Sequence, residues 1–173
     1  MNKLVKRFEI VVGIGLIALF FTMIIAGFVT IEKQNPTVFV TTFTDEGIQT
    51  AINSLGTSGG TVQLIRGTYT MSGDTYVGPE KVNCLTIANN NITLRGLGTA
   101  TNLYFNGLVK QFSQGIYITG ANVTIENLKM DGGNVVVDYG VVFEGTTFGK
   151  VLDCTVTQTN LDCVVFDDSD DMI

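Results

Sequence analysis

The sequence predicts an all-β chain in which short coils of strand stack on one another, entered through one short helix and preceded by one transmembrane α-helix. Three observations predict it. Ile10 to Ile31 is a run of 22 residues without a charge. A single helical pattern, Ile48, Ala51, Ile52 and Leu55, follows at offsets of three, four and seven. From residue 85 onward an apolar motif returns at spacings of 31, then 25–26, then 23 residues. Repeats of that length signify stacked supersecondary units, each burying its apolar face on the next.

Composition bounds the function. The chain has 173 residues, a one-domain length, with ten Lys+Arg against sixteen Asp+Glu and a net charge of −6. It contains no His and no Trp. The absence of His excludes Ser-His-Asp and Cys-His catalysis and His-ligated metal sites. An acidic chain with few cations argues against a nucleic-acid partner.

The apolar run is long enough for a bilayer core about 30 Å thick, which needs ~20 helical residues. Lys3, Lys6 and Arg7 precede it, whereas Glu32 and Lys33 cancel just after it. The excess of cations on the N-terminal side predicts a cytoplasmic N-terminus over 1–9, a membrane span over 10–31 and an extracytoplasmic remainder. A cleaved secretory signal has a shorter apolar core, and a pilin-type leader would need a Gly before the cut that this sequence lacks. The retained signal anchor is therefore the expectation.

Asn35-Pro36 ends the anchor, because Pro disfavours helix in the residue before it. Residues 32–43 are the linker and first strand, the strand being Thr37 to Phe43, rich in β-formers. Thr44 or Asp45 is placed to cap the helix and Gly56 to stop it. Thr61 to Ile65 is the next strand. Further on, Leu85-Thr-Ile87 with Asn91-Ile-Thr-Leu94 and Leu97 aligns with Ile116-Tyr-Ile118, Asn122-Val-Thr-Ile125 and Leu128. Val141-Val-Phe143, Val151 and Cys154 repeat that pattern, and Cys163-Val-Val-Phe166 begins it again. Asn91 and Asn122 fall in one register of successive coils, where stacked Asn side chains hydrogen-bond along the stack; both also stand in Asn-x-Thr sequons.

The string from Asp45 to Tyr69, with Ile48-Gln49, Ala51-Ile52, Gly59-Gly60-Thr61-Val62, Leu64 and Gly67-Thr-Tyr69, resembles the opening of right-handed parallel β-helix proteins of the pectate-lyase superfamily. The resemblance covers about 25 residues and implies a fold: a short right-handed parallel β-helix (solenoid) over 44–173, whose N-terminal helix caps the open end of the coil. It does not fix a chemistry, since that superfamily includes polysaccharide lyases, glycoside hydrolases, epimerases and viral surface proteins.

Three groups of residues are candidates for function. Asp167, Asp168 and Asp170, in an acidic run closing the chain, are the candidate ligands for Ca²⁺, a hard cation that takes oxygen donors. The resemblance implies that carboxylates on adjacent turns hold Ca²⁺ in lyases of this fold, with an Arg or Lys as base. No cation outside the anchor region stands in a matching motif, and the hydrolase relatives' Gly-His-Gly element cannot be supplied without His. The solvated-tail reading of the same Asp residues stands beside the metal one. Tyr104, Phe105, Phe112 and Tyr117 are the candidate carbohydrate-stacking residues, because aromatic rings with polar edges suit sugar faces. Gly98 to Gln114 is expected to be a long binding loop carrying Phe105 and Phe112. Cys84, Cys154 and Cys163 form no CxxC, and Cys154, in the register of Leu97 and Leu128, is expected to be a buried thiol.

These readings predict a membrane-anchored, extracytoplasmic β-helix that acts as a structural, assembly or adhesive component of a cell surface or virion membrane. The open C-terminal end of the coil is its expected route to self-association or to a larger assembly. The alternative is a polysaccharide-active lyase or hydrolase, or a carbohydrate-binding module, with a glycan as partner. No cofactor other than calcium is suggested.

Overall fold

The computed structural model describes residues 35–72, 75–76, 82–106, 113–133 and 137–173. Within them the chain is a parallel β-solenoid of about four turns. The strands are β1 (Thr37–Val40), β2 (Gly60–Leu64), β3 (Gly67–Met71), β4 (Thr75–Tyr76), β5 (Val82–Ile87), β6 (Ile92–Phe105), β7 (Ser113–Ile118), β8 (Thr124–Asp131), β9 (Tyr139–Glu144), β10 (Lys150–Leu152), β11 (Thr155–Thr157) and β12 (Val164–Asp167). Helix α1 (Asp45–Ser54) lies between β1 and β2.

The predicted fold class needs one correction. No helix among the described residues is long and apolar enough to cross a membrane; α1 has ten residues. The transmembrane helix expected over 10–31 and the basic stretch 1–9 lie outside the described residues. The fold class is corrected accordingly: the described residues form an all-β solenoid with one short helix and no transmembrane helix.

Two sheets wrap the coil. One runs β1-β2-β6-β8-β10, with β3 on the second half of β6 and β11 on the second half of β8. The other runs β4-β5-β7-β9-β12. All pairings are parallel except β4 with β5. β6 turns a corner along its length: its register with β8 shifts between Arg95 and Gly98 and again between Gly98 and Asn102. The first sheet thereby supplies two faces of each coil and the second sheet the third.

The repeats align in space as the sequence spaced them. Leu85 faces Ile116, which faces Val141, which faces Val164. Ile87, Ile118, Phe143 and Phe166 form the column beside it. On the next face Val62, Leu94, Ile125 and Val151 stack. Tyr69, Leu103, Met130 and Val156 stack on the third. In a strand successive side chains alternate sides, so the polar residues between these positions face water. Leu97 departs from the expected register. It is 54% exposed, because the shift at the corner sets Gly98, not Leu97, opposite Leu128.

One corner is built from a column of left-handed residues. Gly59, Asn91, Asn122, Phe148 and Asp171 have φ of 68°, 58°, 55°, 58° and 54°. Three of them close a turn onto the rung beyond: the N–H groups of Asn91, Asn122 and Phe148 donate to Ala121, Thr147 and Asp170 carbonyls. Asn and Gly tolerate this backbone. The predicted Asn ladder is present, with Asn122 Nδ2 donating to Asn91 Oδ1 at 2.9 Å.

The helix closes the first coil. Thr44 is its N-cap, its side chain accepting from the Gly47 N–H at 3.2 Å. Ile48, Ala51, Ile52 and Leu55 are buried, as their spacing predicted. The first strand ends at Val40 rather than Phe43. Gln49 does more than fill a motif. Its Nε2 donates to the Thr86 carbonyl and its Oε1 accepts from the Thr86 N–H, both at 2.9 Å. The side-chain amide thus takes the place of a neighbouring strand along β5. Gln49→Ala is expected to lower stability by about 2 kcal/mol, since it strands both peptide groups. Urea unfolding checks this, and an unchanged midpoint would mean the helix does not seal β5 through this side chain.

Candidate functional site

The residues expected to stack on sugars are not brought together. Tyr104 stands on β6, in the first sheet, opposite Asp131 of β8. It is half-buried, and a Cβ on Gly133 would lie 3.1 Å from its ring and hydroxyl. Lys129 pairs with Asp131 at 2.7 Å, and its hydrogen bond holds the Asp131 carboxyl below the usual carboxylate range, helped by the Gly133 N–H. Tyr117 stands on β7, in the second sheet, half-buried; burial raises its phenol pKa, and a hydrogen bond to Glu144 and that carboxylate's charge add to the rise. Phe105 is 1% exposed and packs in the core, so it has no ring face to offer a ligand. The expected binding loop is accordingly shorter, because Gly98 to Phe105 belongs to β6. Phe112 lies outside the described residues.

The candidate calcium ligands are not converged either. Asp167 ends β12 opposite Glu144, Asp168 takes φ of 46° in the turn after it, and Asp170 bridges to Thr147. Among the described residues no group of three or more His, Cys, Asp or Glu side chains is placed to hold a metal ion. All three carboxylates face water.

A buried polar network that the sequence reading missed lies where successive coils connect. Asp138, 5% exposed, accepts from the Ser113 N–H and from Asn160 Nδ2, both at 3.0 Å. The Asp138 N–H donates to the Ser113 carbonyl at 3.0 Å and the Leu161 N–H to the Asp138 carbonyl at 2.9 Å. These bonds tie three consecutive rungs at one corner. The signal available was Ser113 at the start of β7, Asp138 just before β9 and Asn160 ahead of β12, polar residues that carry no hydrophobic periodicity and so escape a pattern search.

The thiols report the topology. Cys84 is buried, Cys154 is half-buried opposite Leu128, and Cys163 is exposed at the start of the last rung. Burial, more than the opposing backbone hydrogen bond, raises the Cys154 pKa above the ordinary thiol value. Because thiolate is the reactive form, a raised pKa slows reaction at pH 8 and the rate climbs only at higher pH. Alkylation followed by mass spectrometry is expected to label Cys163 first, Cys154 more slowly and Cys84 only after unfolding. Early labelling of Cys84 would contradict the register of β5.

The outer edge of β12 is the remaining distinctive surface. The Cys163 and Asp167 carbonyls accept from Val141 and Gly145, so that side of β12 is bonded to β9. Among the described residues its opposite side has no neighbouring strand. Phe166 stacks on Phe143, with centroids 5.1 Å apart, yet is 43% exposed. Elsewhere on this last rung Leu161 is 54% exposed and Ile173, bonded to Gly149 and Val151 on the other sheet, is 68% exposed, while Val164 and Met172 are only partly covered.

Comparison with known proteins adds one finding. No protein-family model and no curated protein matches the chain. Among solved structures, the chain is similar to Geobacillus virus E2 ORF18, with 25% sequence identity and a TM-score of 0.51. The match covers 68% of this chain and 25% of that one, so the chain spans about a quarter of its structural neighbour's length.

Proposed function

We propose that this chain is a structural module: a stack of coils that joins a larger assembly, of a virion or a cell surface, through the outer edge of its last coil. The observation that carries the reading is that edge, which pairs with no further strand among the described residues and leaves Phe166 exposed on it. An unpaired strand edge is a template for pairing with another chain, and exposed apolar residues beside it add burial to the pairing. The likeness to a virus-encoded protein supports the setting. Light scattering on the protein extracted from its native source tests the reading. A defined complex heavier than the 18.6 kDa chain is expected. A lone chain in that extract would overturn it.

A second reading, a carbohydrate-binding module without turnover, has one observation in its favour. Tyr104 lies among the Lys129–Asp131 pair, Asn102 and the outward Thr68, Thr70, Thr155 and Thr157 on one polar face. An aromatic ring among donors and acceptors is what sugar recognition requires. A glycan screen with Tyr104→Ala as control tests it; binding that survives the substitution would sink it.

A further inference from the structure

We infer that the corner where the strands of the second sheet begin holds one monovalent metal cation, sodium or potassium, between the side-chain oxygens of Asn83 and Gln114, with Asp138 as its counter-charge. The inference is independent of the assembly reading. Asn83 on β5 and Gln114 on β7 are partners in register on adjacent rungs. They are 1% and 5% exposed. Asn83 Oδ1 and Gln114 Oε1 are both buried, and neither has a hydrogen-bond partner. A buried acceptor without a donor has lost its hydration and regained nothing, so two on adjacent rungs call for a ligand that attracts oxygen.

Charge selects the ligand. Asp138 is 5% exposed and immediately precedes Tyr139, the partner of Gln114 on the next rung. Its carboxylate accepts from the Ser113 N–H, and Ser113 immediately precedes Gln114. That donor and Asn160 Nδ2 are both neutral. Neither ion pair among the described residues, Arg95–Glu126 or Lys129–Asp131, involves Asp138. Buried charges are paired or coordinate a metal. The corner therefore offers two neutral carbonyl oxygens and one negative charge, which a single positive charge balances. Carbonyl oxygens that replace a hydration shell are suited to such a cation. The spacing fits as well. Adjacent strands lie about 4.8 Å apart, so one ion between two in-register amides reaches both oxygens. A water molecule would donate to both oxygens too, but it brings no charge to set against Asp138. Bound there, the ion ties β5 to β7 beside the corner at which Ser113, Asp138 and Asn160 tie the following rungs.

The test uses the full chain. Thermal unfolding is followed at pH 7 in sodium, potassium and choline chloride at one ionic strength. The midpoint is expected to be about 4 °C higher in sodium or in potassium than in choline, and to level off as the ion is raised. The ion that gives the larger shift is the one the site prefers. Asn83→Leu and Gln114→Met keep the size of each side chain and remove its oxygen. Each is expected to unfold at one temperature in all three salts, with circular dichroism confirming its fold. Asn83→Asp adds a second charge. It is expected to gain a rise in midpoint with Ca²⁺ that a chelator reverses and that the parent lacks. Equal midpoints of the parent in the three salts would overturn the inference and leave water at the two amides. A cation shift that survives in both truncated variants would overturn it too, because the ion then sits elsewhere. If the truncated variants do not fold, Asn83→Asp decides, and no response to Ca²⁺ overturns the inference. None of these results bears on the assembly reading, which the mass of the native extract decides.

Discussion

Phe143→Ala is expected to lower stability by about 4 kcal/mol. The ring is fully buried, stands one rung inside the last strand, and supports Phe166 from below. Its removal leaves a cavity that the neighbouring rungs cannot close, since their strands are fixed by parallel pairing on both sides. Phe166→Ala removes the same atoms from the same column one rung further out. There 43% of the residue already meets solvent, so the loss is expected to be about 1–2 kcal/mol. Urea denaturation of the two variants beside the parent measures both. Equal losses would show that Phe166 is covered in solution to the same degree as Phe143.

Gly140→Ala is expected to cost about 3 kcal/mol by close contact and not by a cavity. A Cβ at Gly140 would lie 2.5 Å from the Cys163 carbonyl oxygen and 2.7 Å from Val156. Gly115, one coil earlier, repeats the arrangement, its Cβ position lying 2.5 Å from the Gly140 carbonyl and 2.7 Å from the Phe105 ring. Backbone meets backbone at this corner from rung to rung, and a methyl group forces the coils apart. Gly145 is the control. It has φ of 61° but open space around it. Gly145→Asn is expected to change stability by no more than about 0.5 kcal/mol, because Asn accepts that backbone. Thermal unfolding of the two variants separates them, and a neutral Gly140→Ala would mean the corner is looser than described.

What the sequence made legible was the part governed by period. Leu85, Ile116, Val141 and Val164 could be aligned by eye, and the same alignment is the physical register. The helix was legible because Thr44, Ile48, Ala51 and Ile52 obey capping and spacing rules that act within one turn. The bend in β6 was not. Its two register shifts are set by packing between coils, and they turned Leu97 outward and carried Phe105 into the core. The third face was readable in principle, since Tyr69-Met71, Leu103-Phe105 and Leu128-Met130 alternate with polar residues, but each pair is too short to stand out alone. The Asp138 network was invisible for another reason: hydrogen bonds between rungs leave no periodic trace in composition. The apolar run over 10–31 lies outside the described residues, among which no helix is long and apolar enough to cross a membrane.

Gln49 and β12 stand at opposite ends of the same sheet, and that gives the molecule an order of opening. In a solenoid each coil touches only its neighbours, so disorder cannot begin in the middle without breaking two contacts at once. Beside β4, the side-chain amide of Gln49 holds β5, whereas among the described residues β12 is held from one side only. Amide protons are therefore expected to exchange with solvent as a front that starts at β12, passes β9 and then β7, and reaches β5 last. Anything that settles on β12 lifts protection first where exchange is fastest, so an amide clock on Val164 to Asp167 would register its arrival before any other part of the chain.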